Sequence, residues 1–230
     1  MNCKFSTGRK FKKEKPLIYV FCEGESELVY ADFLKRKFSN YAVINVINKS
    51  NTTKLFEEAY SKFKKDKKYK SNAEETDEIW FFFDVEKKDI DKWDNHLNII
   101  KQLRKLKNKP GIKVRLLMTT ACIEYWLMLH YKMYTPYIES VSDKNKILAE
   151  VISKEPNYKK GDYNSTVRIA EKYPTAVKNA EKVMKQLVVD GLPSLKDTDE
   201  RNQWLYKSSK TFSTVYEAIN YLEDLKINNK

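Results

Sequence analysis

The chain has 230 residues, of which 41% are hydrophobic and 33% are charged, and its formal net charge is +12 at pH 7. This length fits one domain with or without an appendage, and no stretch approaches the roughly 20 apolar residues that span a bilayer. Three cysteines without CxxC spacing argue against a disulfide framework and a zinc site. These features predict a cytoplasmic protein without membrane insertion.

The first half of the chain alternates between strand and helix patterns. Residues 1–15 are basic and aperiodic, which is typical of a flexible arm that contacts phosphates or is simply solvated. Continuous apolar runs predict buried strands, and they occupy residues 17–22, 41–47, 79–83 and 112–118. Apolar residues at helical spacing follow each run, at residues 26–38, at 52–63 with Thr52 as the cap, at 91–106 and at 122–131. The lysine-rich stretch 64–70 is predicted to be a loop.

This alternation predicts an α/β domain over residues 16–132, with a mainly parallel sheet flanked by helices. The pattern then changes, and residues 133–230 are predicted to form a helical carboxyl-terminal region. Its predicted helices lie at 145–152, 166–188 and 211–225, and Pro174 is expected to break or begin a helix within the second.

Carboxylates follow three of the predicted strands. Glu23 comes directly after the first, with Gly24 permitting a tight turn, and Asp84 and Glu86 follow the third, while Glu124 lies beyond the fourth. The carboxyl ends of parallel strands meet at one edge, where ligands of α/β sheets bind. Acids in such places also cap helices, but three groups at one edge repel one another unless a cation intervenes. The sequence therefore predicts a site for a hard ion such as Mg²⁺, with Mn²⁺ as the alternative.

The pattern of Glu23 after strand one and Asp84-x-Glu86 after strand three resembles the Toprim domain of topoisomerases, primases and OLD-type nucleases. More narrowly, residues 22–27, the Phe83-Asp84 pair and residues 119–131 resemble the RloB family. The resemblance implies a Toprim-like fold. It also implies an effector in bacterial phage defence that acts with an ATPase partner.

The resemblance covers residues 17–131 and assigns roles to three acids. It implies that Glu23 transfers a proton or binds metal, and that Asp84 and Glu86 hold magnesium for phosphoryl transfer. Glu86 departs from the usual DxD pattern, because glutamate keeps the charge but adds a methylene. The resulting hypothesis is a magnesium-dependent nuclease that cleaves phosphodiester bonds in DNA or RNA, tRNA included.

Other residues offer weaker signals for the same chemistry. Glu124 is a further candidate catalytic residue, because a buried acid among apolar neighbours needs a partner or a metal. Arg104, Lys105 and Lys107 cluster at a helix end, where they suit the helix dipole and are candidate phosphate contacts. His130 is predicted to be a core histidine. The positive charge favours a polyanionic partner, although lysines also keep a protein in solution.

Several enzyme classes are excluded by missing motifs. The chain contains neither GxSxG nor HExxH, and its five glycines form neither a Walker loop nor GxGxxG. Nucleotide hydrolysis by this chain is therefore not expected. Two alternatives to the nuclease stay open: a noncatalytic nucleic-acid-binding module and a regulatory interaction subunit. The pattern leaves a homo-oligomer open as well.

Overall fold

The computed structural model describes residues 14–48, 54–108 and 110–228. Most of the expected arm, at residues 1–13, and the expected helix cap Thr52 lie outside these ranges. The described chain is an α/β structure with a four-stranded, all-parallel sheet flanked by helices, consistent with a Toprim-like fold. None of its described helices has the length and apolar character needed to cross a membrane.

The sheet is built from the four apolar segments that the sequence indicated. Its strands are β1 (Leu17–Cys22), β2 (Val43–Asn48), β3 (Thr76–Val85) and β4 (Lys113–Thr120). They run in the order β2-β1-β3-β4, and every neighbouring pair is parallel. The carboxyl ends of all four strands therefore lie at one edge.

Ten α-helices are present in the described part of the chain, and a 3₁₀ helix, Lys87–Lys92, follows β3. They are α1 (Glu25–Lys37), α2 (Leu55–Lys65), α3 (Lys67–Asn72), α4 (Trp93–Arg104), α5 (Ile123–Leu129), α6 (Val141–Lys154), α7 (Tyr163–Ala170), α8 (Tyr173–Val189), α9 (Asp199–Lys207) and α10 (Val215–Asn228).

The prediction of a loop at 64–70 was wrong. This stretch is largely helical, because Asp66 caps α3 by accepting a hydrogen bond from the backbone N–H of Lys68 at 2.9 Å. The prediction for Pro174 is confirmed, since the segment 166–188 is divided between α7 and α8 and Pro174 lies in the first turn of α8. Proline suits that position, since the first turn needs no intrahelical N–H donor.

Helices cover both faces of the sheet. Phe81 of β3 stacks on Phe56 of α2, with ring centroids 4.1 Å apart, whereas the next residue, Phe82, meets Tyr30 of α1. Successive strand residues point to opposite faces, so α2 and α1 lie on opposite sides of the sheet. Burial on both faces explains why the strands are continuously apolar rather than alternating.

The carboxyl-terminal segment returns to the open edge of β4. Ser213 forms an antiparallel bridge with Thr119, and the backbone N–H of Thr214 donates to the carbonyl of Met118 at 2.9 Å. The backbone N–H of Thr120 donates to the carbonyl of Phe212 at 3.0 Å. These bonds satisfy backbone groups that an edge strand otherwise exposes.

Candidate active site at the carboxyl edge of the sheet

Glu23 and Asp84 lie side by side on adjacent strands. The backbone N–H of Glu23 donates to the carbonyl of Phe82 at 3.0 Å, which extends the β1–β3 pairing by one residue. The backbone N–H of Asp84 in turn donates to Oε2 of Glu23 at 3.3 Å. The parallel sheet thus brings two acids that are 61 residues apart in sequence to the same point of its edge.

Asp84 lies in an electrostatically unfavourable environment. Its Oδ1 atom is shielded from solvent and has no hydrogen-bond partner among the residues that the structure describes. Burial raises the pKa of Asp84 well above its usual range, and the negative charges of Glu27, Glu23 and Glu124 raise it further. Lys144 acts in the opposite direction. Asp84 therefore lies within the electrostatic field of three glutamates.

Glu27 is a further acid close to Asp84, although the sequence patterns did not single it out. Burial raises its pKa to about 7, and the charges of Glu124 and Glu23 add to the effect, while a hydrogen bond from its own backbone N–H opposes it. A Cβ at Gly24 would come within 2.7 Å of Oε2 of Glu27, so the glycine makes room for this carboxylate. The charge of Glu27 and its place in the first turn of α1 gave no signal of this burial.

Glu124, in the first turn of α5, is only 1% exposed and is held by two residues of the segment between α6 and α7. The hydroxyl of Tyr158 donates to its Oε1 at 3.1 Å, and the ammonium of Lys160 donates to its Oε2 at 3.2 Å. The backbone N–H of Gly161 donates to Oγ of Ser26 at 3.1 Å and anchors this segment on α1. These partners are distant in sequence, so no local pattern could have indicated them.

Glu86 has a different environment. Its carboxylate forms ion pairs with Lys88 and Lys144. Burial alone would raise its pKa, but hydrogen bonds from Lys144 and then Lys88 lower the pKa below the usual range. Lys144 also acts on Asp84, so this lysine links Glu86 to the acidic cluster. We use the name acidic cluster for Glu23, Glu27, Asp84 and Glu124.

The donor chemistry of the acidic cluster fits a hard divalent cation. Carboxylate oxygens are the preferred ligands of Mg²⁺, and the shielded, unpartnered Oδ1 of Asp84 is a donor that a cation would satisfy. Mutual repulsion among the four acids is the cost that a cation would remove. As the side chains are placed, no three His, Cys, Asp or Glu residues within the described ranges share one coordination point.

The three predicted phosphate contacts lie elsewhere. Arg104 forms a bidentate ion pair with Asp199, with both N–O distances at 2.8 Å. Lys107 donates to the carbonyl of Thr76, where β3 begins, and Lys105 is exposed. At a rise of about 3.3 Å per residue, Thr76 is about 26 Å from Asp84 along the strand. The structure thus separates these basic residues from the acidic cluster.

Sequence comparison identifies the family to which the chain is related. The chain matches no curated protein and no solved structure. The family described as RloB-like protein matches residues 18–222, which include the whole acidic cluster and the helices that follow it. This match covers most of the chain and extends well beyond the residues 17–131 that carried the resemblance. The chain therefore belongs to the RloB-like family.

Proposed function

We propose that this protein is a magnesium-dependent nuclease of Toprim type that hydrolyses phosphodiester bonds in DNA or RNA, with tRNA among its candidate substrates. The observation that carries the proposal is the shielded, unpartnered Oδ1 of Asp84 within a cluster of three glutamates. Mn²⁺ is the second candidate ion. The formal charge of +12 supports a polyanionic substrate through long-range attraction.

The acids have different roles in this proposal. Glu23, Asp84 and Glu86 would hold the ion, as the Toprim resemblance implies, and Glu124 adds a further buried carboxylate. When bound, Mg²⁺ would neutralise charge on the scissile phosphate and lower the pKa of an attacking water. Glu23 accepts or returns a proton in this scheme. Glu27, whose pKa is about 7, is a second carboxyl suited to proton exchange near neutral pH.

The proposed biological role follows from the RloB-like family. In this proposal the protein acts in the cytoplasm as an effector of bacterial phage defence, and an ATPase partner controls its activity. The ATPase partner is proposed because the resemblance to the RloB family implies it. A homo-oligomer is compatible with this role.

The test compares the wild-type protein with Asp84→Asn, which keeps the shape of the side chain and removes its charge. Plasmid, single-stranded DNA and total RNA are incubated with each protein in Mg²⁺, Mn²⁺ or EDTA, and Mg²⁺ binding is measured by calorimetry. We expect Asp84→Asn to lose Mg²⁺ binding and to reduce cleavage at least about 100-fold, because the variant removes a carboxylate that would hold the ion, and the ion would neutralise charge on the phosphate.

The matched control is Asp224→Asn, which changes an exposed aspartate on α10. This control should bind Mg²⁺ and cleave like the wild type. Wild-type cleavage and Mg²⁺ binding by Asp84→Asn would remove Asp84 from the chemistry. Cleavage by the wild type in EDTA would remove the ion from the proposal.

A noncatalytic nucleic-acid-binding module is the second candidate function. The observation that favours it is the double ion pair of Glu86 with Lys88 and Lys144, which neutralises one of the acids that the Toprim pattern assigns to the ion. Such a module would hold nucleic acid equally well in EDTA and in Mg²⁺, without cleavage. A regulatory subunit would instead bind its protein partner and show no affinity for nucleic acid.

A further inference from the structure

A cavity of about 500 Å³ lies at the carboxyl end of β3, and its lining includes Val85 and Glu86, the two residues that follow Asp84. Its walls come from the end of β3 and the 3₁₀ helix, the turn after β4, the start of α6 and the end of α9. Glu86 is one of the lining residues. A molecule in this cavity would therefore lie against a residue of the proposed active site.

One part of the lining is basic. Among the described residues that line the cavity, three are lysines and two are glutamates: Lys87, Lys88, Lys144, Glu86 and Glu139. Lys87 pairs with Glu139 at 3.1 Å, and the other two lysines share Glu86. The side chains of Lys87 and Lys88 are 70% and 74% exposed, so they can turn towards an incoming anion at little cost. These lysines therefore suit a phosphate group.

Another part of the lining is apolar. Val85, Ile90, Ile138 and Val141 all contribute to the cavity. Val141 is 73% exposed, which is unusual for a valine at the first position of a helix that packs on the core. Covering this surface with a flat aromatic ring would remove apolar area from water. A nucleobase has that shape, and a lining with both lysines and apolar side chains offers partners for both the phosphate and the base of a nucleotide.

The turn after β4 adds an independent sign of function. Ala121 lines the cavity with φ at 66°, in the left-handed region that residues with a side chain rarely adopt. Such a conformation costs of the order of 1 kcal/mol, and it is concentrated at ligand sites. The backbone N–H of Ala121 donates to the carbonyl of Val85 at 2.9 Å, which holds the turn against the end of β3.

We propose that this cavity binds one nucleotide of a single-stranded nucleic acid. Its phosphate would contact the three lysines, and its base would contact the apolar side chains of the lining. The volume lies within the range of about 300 to 1,000 Å³ typical of small-molecule sites, and it leaves no room for a base-paired helix. This inference rests on the proposed function, because it places the neighbouring phosphodiester next to Glu86 and Asp84. It assigns the enzyme a single-stranded or unpaired substrate.

The test measures binding in EDTA, so that no cleavage is involved. Fluorescence anisotropy follows a labelled single-stranded oligonucleotide and its duplex, and calorimetry follows free AMP. Two variants alter the cavity: Val141→Asp places a negative charge among the apolar lining residues, and Lys88→Ala removes a positive charge. Val189→Asp is the matched control, because Val189 is 90% exposed at the end of α8 and does not line the cavity. Circular dichroism verifies that each variant is folded.

We expect the wild type to prefer the single strand to the duplex. Each cavity variant should weaken binding of the single strand by about tenfold, because one disturbs the apolar contact with the base and the other removes a charge that contacts the phosphate. The control should bind like the wild type. Unchanged binding in both cavity variants would overturn the proposal, as would equal affinity for duplex and single strand. Binding of AMP without binding of the oligonucleotide would overturn the assignment to a nucleic-acid strand.

These outcomes are separate from the test of the nuclease. If the wild type binds the single strand through the cavity but never cleaves it in Mg²⁺ or Mn²⁺, the cavity assignment holds and the proposed activity fails. If the wild type cleaves and both cavity variants bind and cleave like it, the nuclease holds and the cavity assignment fails.

Discussion

Asp84 and Glu27 are carboxyls that the fold holds in an unfavourable environment. Burial and neighbouring negative charges raise the pKa of each, which means that ionising them costs free energy in the folded protein. The contribution of Glu27 to the free energy of unfolding is therefore most favourable below about pH 4.5, and it is lost as the pH rises through about 7. Such local destabilisation is typical of functional sites.

The strand-end positions of Glu23 and Asp84 could be predicted from sequence, because buried parallel strands place their carboxyl ends together. The burial of Glu27 and the ion pair of Lys160 with Glu124 could not be predicted. They depend on contacts between the sheet edge and helical segments that are distant in sequence. A pattern of neighbouring residues in the sequence does not indicate such contacts.

His130 illustrates how a buried polar residue is satisfied. Its Nδ1 lies 3.0 Å from the carbonyl oxygen of Trp126, which can only accept, so Nδ1 carries the proton. Its Nε2 then accepts a hydrogen bond from the hydroxyl of Tyr30 at 3.0 Å. Both nitrogens of the ring are therefore engaged, as expected for a core histidine.

We predict that neither histidine of the chain titrates between pH 8 and about 5.5. Burial lowers the pKa of His130 to about 3 and that of His96 to about 4. Both pKa values in the folded protein lie below the value near 6.5 in the unfolded chain. The neutral rings therefore stabilise the fold fully above pH 6.5. This stabilisation is lost as the pH falls through about 4 for His96 and about 3 for His130. The measurement is the pH dependence of the histidine NMR signals. A midpoint near pH 6.5 in the folded protein would contradict the prediction.

At the scale of elements, α6 shows how a helix end is fixed close to the candidate site. Oγ of Ser140 accepts a hydrogen bond from the backbone N–H of Asp143 at 3.1 Å, and the Asp143 side chain accepts one from the backbone N–H of Ser140. This capping box satisfies two backbone donors that the first turn leaves unpaired. One turn further on, α6 carries Lys144, which pairs with Glu86.

We predict that Ser140→Ala lowers the free energy of unfolding by about 1 kcal/mol, because it removes the cap of α6. The control is Ser153→Ala in the same helix, where the hydroxyl donates only to the carbonyl of Glu150 and the residue is exposed. Urea denaturation measures both changes, and the control should stay within about 0.5 kcal/mol of the wild type. Equal losses in the two variants would show that the cap does not stabilise this helix.

The strands and helices differ in how well the sequence indicated them. The predicted limits of β1 match the structure, because its apolar run ends at Glu23 on one side and follows Pro16 on the other. β3 begins three residues earlier than predicted, since Glu78 is buried in an ion pair with Arg115 of β4, with an N–O distance of 3.0 Å. The short helix α3 has no buried residue, so it lacked the apolar periodicity that marks a helix.

At the scale of the whole molecule, the carboxyl-terminal helices belong to the same hydrophobic core as the sheet. α10 packs against β4 and α8 packs against α5, and one buried cluster includes Leu116, Leu127, Met184 and Ile219. Thr214, itself fully buried, donates through its hydroxyl to the carbonyl of Leu116 at 2.7 Å. Removing these helices would expose both apolar surface and unpaired backbone groups.

We predict that residues 1–132 expressed alone do not fold, although the sequence pattern set them apart as a unit. Deleting the later helices uncovers the edge of β4 and one side of α5, so the fragment should aggregate or lack a cooperative transition. The full chain should unfold in a single step that circular dichroism and tryptophan fluorescence report at the same urea concentration. A soluble, cooperatively folded fragment, or two separate transitions in the full chain, would show two independent domains.

The bridge between Ser213 and Thr119 also sets an order of events during synthesis on the ribosome. The strands emerge first, but Glu124 gains Tyr158 and Lys160 only after α6 has emerged, and β4 gains its last backbone partners only when residue 214 has left the exit tunnel. Contacts that join distant parts of a chain form late in folding. A nascent or prematurely terminated chain therefore carries the four acids without the partners that surround them in the finished fold.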